Sequence, residues 1–276
     1  MRSVECNLCG ETDFKVVFRS FCYPDGREGD VLQCLNCKLV FRQQSTGNST
    51  ENPHPVPSKN CLSTIDANRL SVFEYYIRKL AGSRKVNRLL DIGSGDGTFL
   101  ELAIEDGWGG IGIEVSTELA IASKKRIKLP VINAAFEDVR LPVEQFDVAT
   151  LINVLEHLTA PGKSINKIYD VLRPGGKILI RFANSSFHVP IRQLFYQAQR
   201  RWNKAYRFDP TMISNYSLSC VTLTQYLSKA GFTAPIFENS FTFKWLNKYI
   251  KSDVTRNKNS KLLLAPSLTA FACKPL

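Results

Sequence analysis

Four of the eight cysteines form two pairs, Cys6 with Cys9 and Cys34 with Cys37, each with the spacing C-x-x-C. Each pair can present two thiolates to one side of a metal ion, and two pairs complete a closed tetrahedral zinc site. Four sulfur ligands leave no open position for catalysis, so the predicted role of the zinc is structural. A redox-active dithiol and an iron–sulfur cluster are the alternatives that this spacing leaves open.

A glycine-rich turn in the stretch "LLDIGSGDGTFL", residues 89–100, is the second pattern with chemical meaning. Gly93, Gly95 and Gly97 let the backbone turn sharply and approach a ligand closely, because no Cβ atom stands in the way. A dinucleotide site has the spacing G-x-G-x-x-G, whereas position 98 here is Thr98. The loop therefore predicts a nucleotide-like ligand without the usual pyrophosphate turn.

Two acids lie beside this loop. Glu114 ends the next predicted strand, about twenty residues after Gly93, where a carboxylate can accept hydrogen bonds from both ribose hydroxyls. Dinucleotides and adenosyl ligands both need that contact, so the acid alone does not separate them. Asp91 comes just before the loop, where its charge would be poorly placed beside a pyrophosphate and well placed beside an ammonium group.

The segments that must position these residues alternate between apolar runs and amphipathic stretches. Strands are expected at 88–92, 109–115, 129–134, 146–154, 177–184 and 268–274, and helices at 66–81, 97–106, 116–128, after Pro161 and at 222–232. Such alternation predicts an α/β fold with a doubly wound, mostly parallel sheet that is covered on both faces. Ligands of such sheets bind at the carboxyl ends of the strands, where the glycine loop lies.

Composition divides the chain into three parts. Residues 1–44 carry the cysteine pairs among short strands and turns, which predicts a small zinc ribbon. Residues 45–62 are rich in Ser, Asn and Pro and are expected to be a linker. Residues 63–276 are predicted to form the α/β domain, with an insertion at about 186–220.

The α/β part resembles the class I methyltransferases that use S-adenosylmethionine. The glycine loop resembles their first motif, "IEVS" at 113–116 resembles the ribose-binding strand end, and "VLRPGGKILI" at 171–180 resembles their Pro-Gly-Gly turn. The motifs agree in order and spacing over about residues 66–240. The resemblance implies a Rossmann-like sheet and an enzyme that transfers a methyl group from S-adenosylmethionine.

The resemblance also implies which residues bind this cofactor. Asp91 would lie near its amino group, Glu114 at its ribose and Asn153 next to the reactive methyl, while the remaining residues wrap the methionine part or line the adenine. The full implied set is Asp91, Gly93, Ser94, Gly95, Gly97, Glu114, Val115, Phe136, Glu137, Asp138 and Asn153. Asp91 could instead cap the turn, and Phe136 could be a core residue.

A hydroxyl acceptor gains from a general base, and the sequence offers two histidines near the expected active site. His157 follows the fourth strand and His188 follows the fifth, so either could be the base or bind the acceptor. His157 could also be a structural cap of its loop. Similar methyltransferases often have a histidine where Ser214 stands, which leaves the base unassigned. In this fold the insertion at 186–220 usually covers the acceptor, unless it packs its aromatic residues on the domain.

The charge of the chain bears on the acceptor. Lys and Arg number 36 against 25 Asp and Glu, a net charge of +11, and the excess is concentrated at 123–128, 192–207 and 248–261. Such charge attracts anions, although it can also be an ordinary solubilising surface. The first residues, "MRSVECNLCG", lack the apolar centre of a signal peptide, and no apolar run reaches the roughly 18 to 20 residues that cross a membrane, so a cytoplasmic protein is expected.

Three functions follow from these observations. A zinc ribbon joined to such a domain resembles small-molecule methyltransferases of sugar and cell-envelope biosynthesis, so the first prediction is O-methylation of a small anionic metabolite, a sugar or nucleotide-sugar. It also resembles a bacterial rRNA guanine methyltransferase whose metal site usually contains a histidine, so an RNA base is the second prediction. A non-catalytic binding module is the third, and the intact glycine loop and Glu114 argue against it.

Overall fold

A computed structural model describes residues 4–22, 28–43, 67–81, 87–202, 214–240 and 265–276. The strands in these ranges are β1 (Phe14–Cys22), β2 (Glu28–Cys34), β3 (Val40–Arg42), β4 (Arg88–Ile92), β5 (Gly109–Ile113), β6 (Val131–Ile132), β7 (Phe146–Ile152), β8 (Leu172–Ala183), β9 (Tyr216–Ser217), β10 (Ile236–Asn239) and β11 (Ser267–Cys273). The helices are α1 (Ala67–Leu80), α2 (Thr98–Glu105), α3 (Thr117–Arg126), α4 (Pro161–Val171), α5 (Ser185–Trp202) and α6 (Cys220–Lys229), with 3-10 turns at Phe136–Asp138 and Leu155–His157.

The larger sheet has seven strands in the order β10-β11-β8-β7-β4-β5-β6. The strands β4 to β8 pair in parallel, and β11 and β10 add an antiparallel edge. This is the predicted α/β class, a Rossmann-like sheet with helices between its strands. Because β4 lies between β7 and β5, the loops after these three strands meet at one edge of the sheet.

Local sequence explains most element boundaries. The strand β4 was predicted to the residue, because a short apolar run is bounded by a charged residue and a glycine turn. Ser116 caps α3 through its Oγ, which accepts from the amide of Leu119 at 3.5 Å, and Pro161 opens α4 as expected. The helix predicted at 222–232 instead starts at Cys220, because Ser219 and Thr222 form a reciprocal capping box.

Two strands differ most from their predicted lengths, while β5 and β7 each end two residues earlier than predicted. The third strand, expected at 129–134, is reduced to the two residues of β6. The fifth strand, expected to begin at 177, begins at Leu172 and includes the Pro-Gly-Gly turn. The chain end explains the second difference, since the amide of Gly175 donates to the carbonyl of Lys274 and the amide of Lys274 donates to the carbonyl of Gly176.

The smaller sheet has four antiparallel strands in the order β1-β2-β3-β9. The first three come from the cysteine-bearing N-terminal part of the chain, which is called the ribbon below. The fourth, β9, comes from the predicted insertion near residue 216. The ribbon sheet is therefore completed by a strand of the α/β domain.

The ribbon shares its core with the α/β domain. Leu8, Leu32 and Leu39 of the ribbon belong to one buried cluster together with Leu151 and Ile165 of the larger sheet and α4. A second cluster covers the other face of the sheet beneath α1 and α2, and a small third one lies within the ribbon. The predicted linker at 45–62 lies outside the described residues, so the proposed boundaries at 44 and 63 stay predictions.

Candidate active site

The glycine loop follows β4 and is bound to the end of β5. The amides of Gly93 and Ser94 both donate to the carbonyl of Ile113, at 2.7 and 3.1 Å. The backbone is left-handed at Gly93, Gly95 and Gly97, with φ of 68°, 57° and 83°. Glycine is favoured there because an L-residue with this φ is strained.

The three glycines face different surroundings. A Cβ atom at Gly93 would lie 2.3 Å from Cγ2 of Val154, and one at Gly97 would lie 2.4 Å from Oγ of Ser123. A Cβ atom at Gly95 would meet nothing within 4 Å. Gly93 and Gly97 thus allow protein packing, whereas Gly95 faces open space in which a ligand could lie. The hydroxyl of Ser94 is buried and has no hydrogen-bond partner among the described residues.

Glu114 stands at the end of β5 beside this loop. Its Oε2 accepts from the amide of Gly95 at 2.8 Å, and its Oε1 accepts from the amide of Ser116 at 2.8 Å. Each carboxylate oxygen has a second lone pair, so two further donors, such as a pair of ribose hydroxyls, can be accommodated. Asn133, which sequence reasoning missed, donates to the carbonyls of Glu114 and Val115 and so fixes this strand end.

Asp91 is buried on β4, where its Oδ1 accepts from the hydroxyl of Thr150 at 2.6 Å. Burial raises the pKa of Asp91 to about 7, the Thr150 hydrogen bond opposes that shift, and the charge of Glu114 adds to it. A buried carboxylate with one hydroxyl partner would gain a counter-ion if the ammonium group of a ligand approached it. Thr150, on the neighbouring strand β7, is a second site residue that the sequence did not reveal.

The residues expected around the adenine are oriented in different directions. Val115 is exposed, as is Asp138, so both are available to a ligand. Phe136 is 3% exposed and belongs to the core, with the ammonium of Lys167 lying 4.4 Å from the centre of its ring. This is the core alternative for Phe136. Glu137 accepts from the amide and the hydroxyl of Thr159, so one of its oxygens is engaged within the protein.

Asn153 lies at the end of β7 and has a left-handed backbone with φ of 58°. The side-chain Oδ1 of Asn153 accepts from Nη1 of Arg181 at 3.0 Å. The backbone amide of Asn153 donates to the backbone carbonyl of Arg181 at 2.9 Å. Asn tolerates this backbone better than most residues. The exposed side chain lies at the edge of the sheet where the cofactor is expected, and Arg181 fixes its orientation.

A cleft opens at the ends of β7 and β8, next to the glycine loop in the strand order. Its lining residues are Glu156, Ala183, Ser185, His188, Val189, Arg192, Ser214, Tyr216 and Ser217. Glu156 and Arg192 are each 6% exposed, so the cleft brings two ionisable side chains of opposite sign out of bulk water. Because this cleft is adjacent to the expected methyl position, it is the candidate acceptor site.

Glu156 is the residue of this cleft that sequence reasoning missed. Its Oε2 is buried and has no hydrogen-bond partner in the described part of the chain. Burial raises its pKa to about 7, against opposing backbone hydrogen bonds and the charge of Arg181. A carboxyl with this pKa can exchange a proton near neutral pH. The available signal was an acid inside the apolar stretch "NVLEHL" directly after a strand.

The two candidate histidines are in different positions. His188 lines the cleft, and its Nε2–H donates to the carbonyl of Pro266 at 2.8 Å, which leaves Nδ1 as an acceptor in the neutral ring. Burial lowers the pKa of His188, as does the charge of Arg192. The Nε2 of His157 is 3.5 Å from the hydroxyl of Ser214, and His157 is outside the set that lines the cleft.

The four cysteines of the ribbon converge on one point. Their sulfur atoms all lie within 4.8 Å of one another, with Cys6 and Cys37 at 3.4 Å and Cys9 and Cys34 at 3.5 Å. Tetrahedral zinc with bonds of about 2.3 Å places its sulfur ligands about 3.8 Å apart, so the cluster fits such an ion. These distances are too long for disulfides.

Both C-x-x-C turns have the same local geometry. In the first, the amide of Gly10 donates to the carbonyl of Cys6, and in the second the amide of Lys38 donates to the carbonyl of Cys34. Gly10 and Lys38 each follow the second cysteine of their pair and are left-handed, with φ of 81° and 66°. The repeated turn brings both cysteines of each pair to the same side.

Comparison with known proteins identifies the family. A family model described as a methyltransferase domain matches residues 67–234, more than half of the 276 residues. The chain therefore belongs to this family, and its fold is that of the class I methyltransferases. No helix among the described residues is both long and apolar enough to cross a membrane.

The proteins that this chain resembles in sequence share no more than about a third of their residues with it. A ubiquinone biosynthesis O-methyltransferase of Coxiella burnetii is 25% identical over 139 residues, which are 49% of this chain and 57% of that protein. The chain thus spans little more than half the length of such curated relatives. An uncharacterized protein of Methanocaldococcus jannaschii is 30% identical over 192 residues, which are 69% of this chain and 85% of that protein.

Solved structures agree on the fold. An S-adenosylmethionine-dependent methyltransferase of Mesorhizobium loti superposes with a TM-score of 0.55 at 16% identity, covering 74% of this chain and 99% of the other. One from Archaeoglobus fulgidus superposes with a TM-score of 0.52 at 19% identity, covering 74% and 92%. The similarity to these structures shows the fold alone.

Proposed function

We propose that this enzyme transfers the methyl group of S-adenosylmethionine to a hydroxyl of a small anionic metabolite, a sugar or nucleotide-sugar. The observation that supports this proposal is the cleft at the ends of β7 and β8. Arg192 and Glu156 are both buried in its wall, so the cleft offers a cation for an anionic group and a carboxylate for a hydroxyl proton. A phosphate or carboxylate near a hydroxyl matches this pair.

S-adenosylmethionine supplies an activated methyl group on a positively charged sulfur. The chain would hold this cofactor through Asp91 at the ammonium group, Glu114 at the ribose hydroxyls and the open side of Gly95. The residues fit this ligand because Gly95 leaves space, Ser94 has a spare hydroxyl and Glu114 has spare lone pairs. The remaining sequence-predicted cofactor residues keep their proposed roles, with Phe136 acting from the core.

Glu156 is the proposed base in the cleft. Methyl transfer is an in-line displacement, so the acceptor oxygen must point at the methyl carbon and lose its proton as the new bond forms. The pKa of about 7 suits Glu156 to accept that proton at neutral pH. His188 would hold the acceptor through Nδ1, because its other nitrogen is bound to Pro266. His157 is proposed to support the loop beside Ser214.

The ribbon is proposed to bind one zinc ion through Cys6, Cys9, Cys34 and Cys37. The convergence of the four sulfur atoms and the equal turns support this assignment. The metal would be structural, because four thiolates close its coordination sphere. From the sequence we also propose a ribbon boundary at 44, a linker at 45–62 and a cytoplasmic location.

The experiment that tests the function follows a radiolabelled methyl group from S-adenosylmethionine into a cell extract. The extract is separated into RNA, protein and small-molecule fractions. We expect label in the small-molecule fraction, lost in Glu114→Ala and strongly reduced in Glu156→Gln. Label in RNA would instead support the alternative that the enzyme methylates an RNA base. In that case the affinity of the enzyme for RNA should fall steeply with salt.

A further inference from the structure

The short strand β9 belongs to two structures at once. It forms the last strand of the ribbon sheet, where Val40 pairs with Ser217 and Phe41 pairs with Tyr216. Tyr216 and Ser217 also line the candidate acceptor cleft. From this double membership we infer that the ribbon builds and holds one wall of the acceptor site. Metal loading of the cysteines then sets acceptor affinity and leaves cofactor affinity unchanged.

Hydrogen bonds fix β9 on both sides. On the ribbon side, the amide of Arg42 donates to the carbonyl of Asn215 at 3.0 Å. On the other side, Nδ2 of Asn215 donates to the carbonyl of His157 at 2.8 Å, and the hydroxyl of Tyr216 donates to the carbonyl of Thr159 at 3.0 Å. The strand therefore spans from the ribbon to the loop that carries Glu156.

The cysteine turns themselves contact the α/β domain. The hydroxyl of Tyr226 on α6 donates to Oδ1 of Asn7 at 3.1 Å, and the ammonium of Lys229 donates to the carbonyl of Leu8. Cys6 and Tyr216 lie in the same buried cluster. A change in the cysteine cluster is therefore transmitted to β9 through packed side chains and not through a flexible connection.

A second wall residue also rests on the ribbon. Val189 of α5 lines the cleft and packs against the small ribbon core, which contains Val17, Phe18, Val31 and Val40. Two elements of the acceptor wall, β9 and the start of α5, thus lean on ribbon side chains. If the ribbon opens, both elements of this wall lose their support, and the fraction of molecules able to bind acceptor falls.

The cofactor side has different support. Asp91 is bound by Thr150, and Glu114 is bound by the amides of Gly95 and Ser116, all within the α/β domain. Gly93 and Ser94 are tied to Ile113 of β5. Among the described residues, none of these hydrogen bonds comes from the ribbon. Loss of the metal should therefore lower the affinity for the acceptor and leave the affinity for the cofactor unchanged.

Metal removal from the full-length enzyme provides the first test. Zinc-loaded and chelator-treated protein are compared by hydrogen exchange and by calorimetric binding of S-adenosylhomocysteine. We expect the amides of residues 215–218 to exchange at least about tenfold faster without metal, because this local opening no longer costs the ribbon contacts. The affinity for S-adenosylhomocysteine should stay within about twofold, since its residues keep their partners. The variant Cys273→Ser, on β11, is the matched control that keeps the cluster intact.

A second variant tests the positioning role without touching the metal. Asn215→Ala removes the bond to the His157 carbonyl while all four cysteines stay. We expect unchanged zinc content and cofactor affinity, and a rise of roughly fivefold to tenfold in the amount of small-molecule extract that gives half-maximal methylation. The maximal rate should fall much less. A general loss of stability would not raise the half-maximal amount of extract while leaving the maximal rate nearly unchanged.

Two results would overturn the inference. One is equal exchange of residues 215–218 with and without metal. The other is a parallel loss of cofactor binding and acceptor use in Asn215→Ala, which would mean general unfolding. The inference rests on the proposed function only where the measurement is methylation of small molecules in the extract. If the label goes into RNA, the proposed acceptor is wrong, while the exchange data still decide whether the ribbon holds β9.

Discussion

The amide of Gly95 donates a 2.8 Å hydrogen bond to Oε2 of Glu114, so the tip of the glycine loop and the end of the neighbouring strand hold each other. The same carboxylate binds the amide at the start of α3 through its other oxygen. One side chain therefore organises two backbone segments around the space where the nucleoside is expected. Removing this carboxylate would disturb the loop as well as a direct contact.

Gly95→Ala should weaken cofactor binding more than it weakens the fold. The added methyl group enters open space, and the left-handed backbone costs about 1–2 kcal/mol of stability. Gly107→Ala is a matched control, because Gly107 has φ of 80° and also nothing within 4 Å, at the end of α2. Urea unfolding should show similar losses for both variants. Calorimetry should show at least about a tenfold loss of S-adenosylhomocysteine affinity for Gly95→Ala alone; equal affinities would contradict the placement of the cofactor.

Cofactor affinity should depend on pH through Asp91. The pKa of this carboxyl is raised to about 7, first by burial, so it is mostly ionised at pH 8 and mostly neutral at pH 6. An ammonium group binds the ionised form, so we expect S-adenosylhomocysteine affinity to fall about tenfold between pH 8 and pH 6. Asp91→Asn should bind weakly with a flat profile over this range. A wild-type profile that is equally flat would remove Asp91 from the ammonium contact.

The same group predicts a stability effect of definite sign. The pKa of Asp91 is raised from the ordinary value of 3.8, which applies in the unfolded chain, to about 7 in the folded protein. Between these two pH values the folded state therefore binds more protons than the unfolded state. Its stability contribution is present below about pH 4 and is lost as the pH rises to about 7. Unfolding experiments on Asp91→Asn and wild type should therefore show a difference that moves in favour of the variant across this window. The opposite slope would contradict the raised pKa.

Glu156→Gln should lower the rate of methyl transfer without lowering cofactor affinity. The amide keeps the shape of the side chain but cannot take a proton, so kcat should fall by roughly a hundredfold or more. The wild-type rate should rise with pH through about 7, and this limb should vanish in the variant. Glu118→Gln, an exposed change on α3, is the control. An unchanged pH profile in Glu156→Gln would assign the base elsewhere, with His188→Gln the next variant to measure.

The metal content of the purified protein tests the cysteine cluster. We expect one zinc per chain, lost in Cys34→Ser, whose sulfur is buried in the cluster. The melting temperature of this variant should fall by roughly 10 °C, because the ribbon core is part of the common core. Cys273→Ser should keep both the zinc and the melting temperature. Iron with a visible absorption band in place of zinc would favour the iron–sulfur alternative.

The positions of the glycine loop and of its two neighbouring acids in the fold could be predicted from the sequence. Asp91 and Glu114 could be placed because each ends an apolar strand, and parallel strands bring their carboxyl ends to one edge. The cysteine cluster could be inferred because the two cysteines of each C-x-x-C pair are only three positions apart. All these features are encoded in short stretches whose geometry needs little knowledge of the rest of the chain.

The acceptor side could not be derived in the same way. The strand β9 has only two residues, so it has no periodic pattern, and its pairing with β3 depends on contacts between distant parts of the chain. The burial of Arg192 and of Glu156 likewise depends on α5, β9 and the loop after β7 coming together around the cleft. The basic charge of 192–207 predicted either attraction of anions or a solubilising surface, but it could not show which of its arginines is buried in the cleft.

The origin of β9 has a consequence for how such proteins can be recombined. A chimera that moved residues 1–43 alone onto another methyltransferase would carry a sheet with an open edge, because its last strand would stay behind. The graft would also arrive without the core residues that α4 and α6 provide. A working graft would therefore have to carry the cysteine segment and the segment around Tyr216 together, even though most of the α/β domain lies between them in the chain.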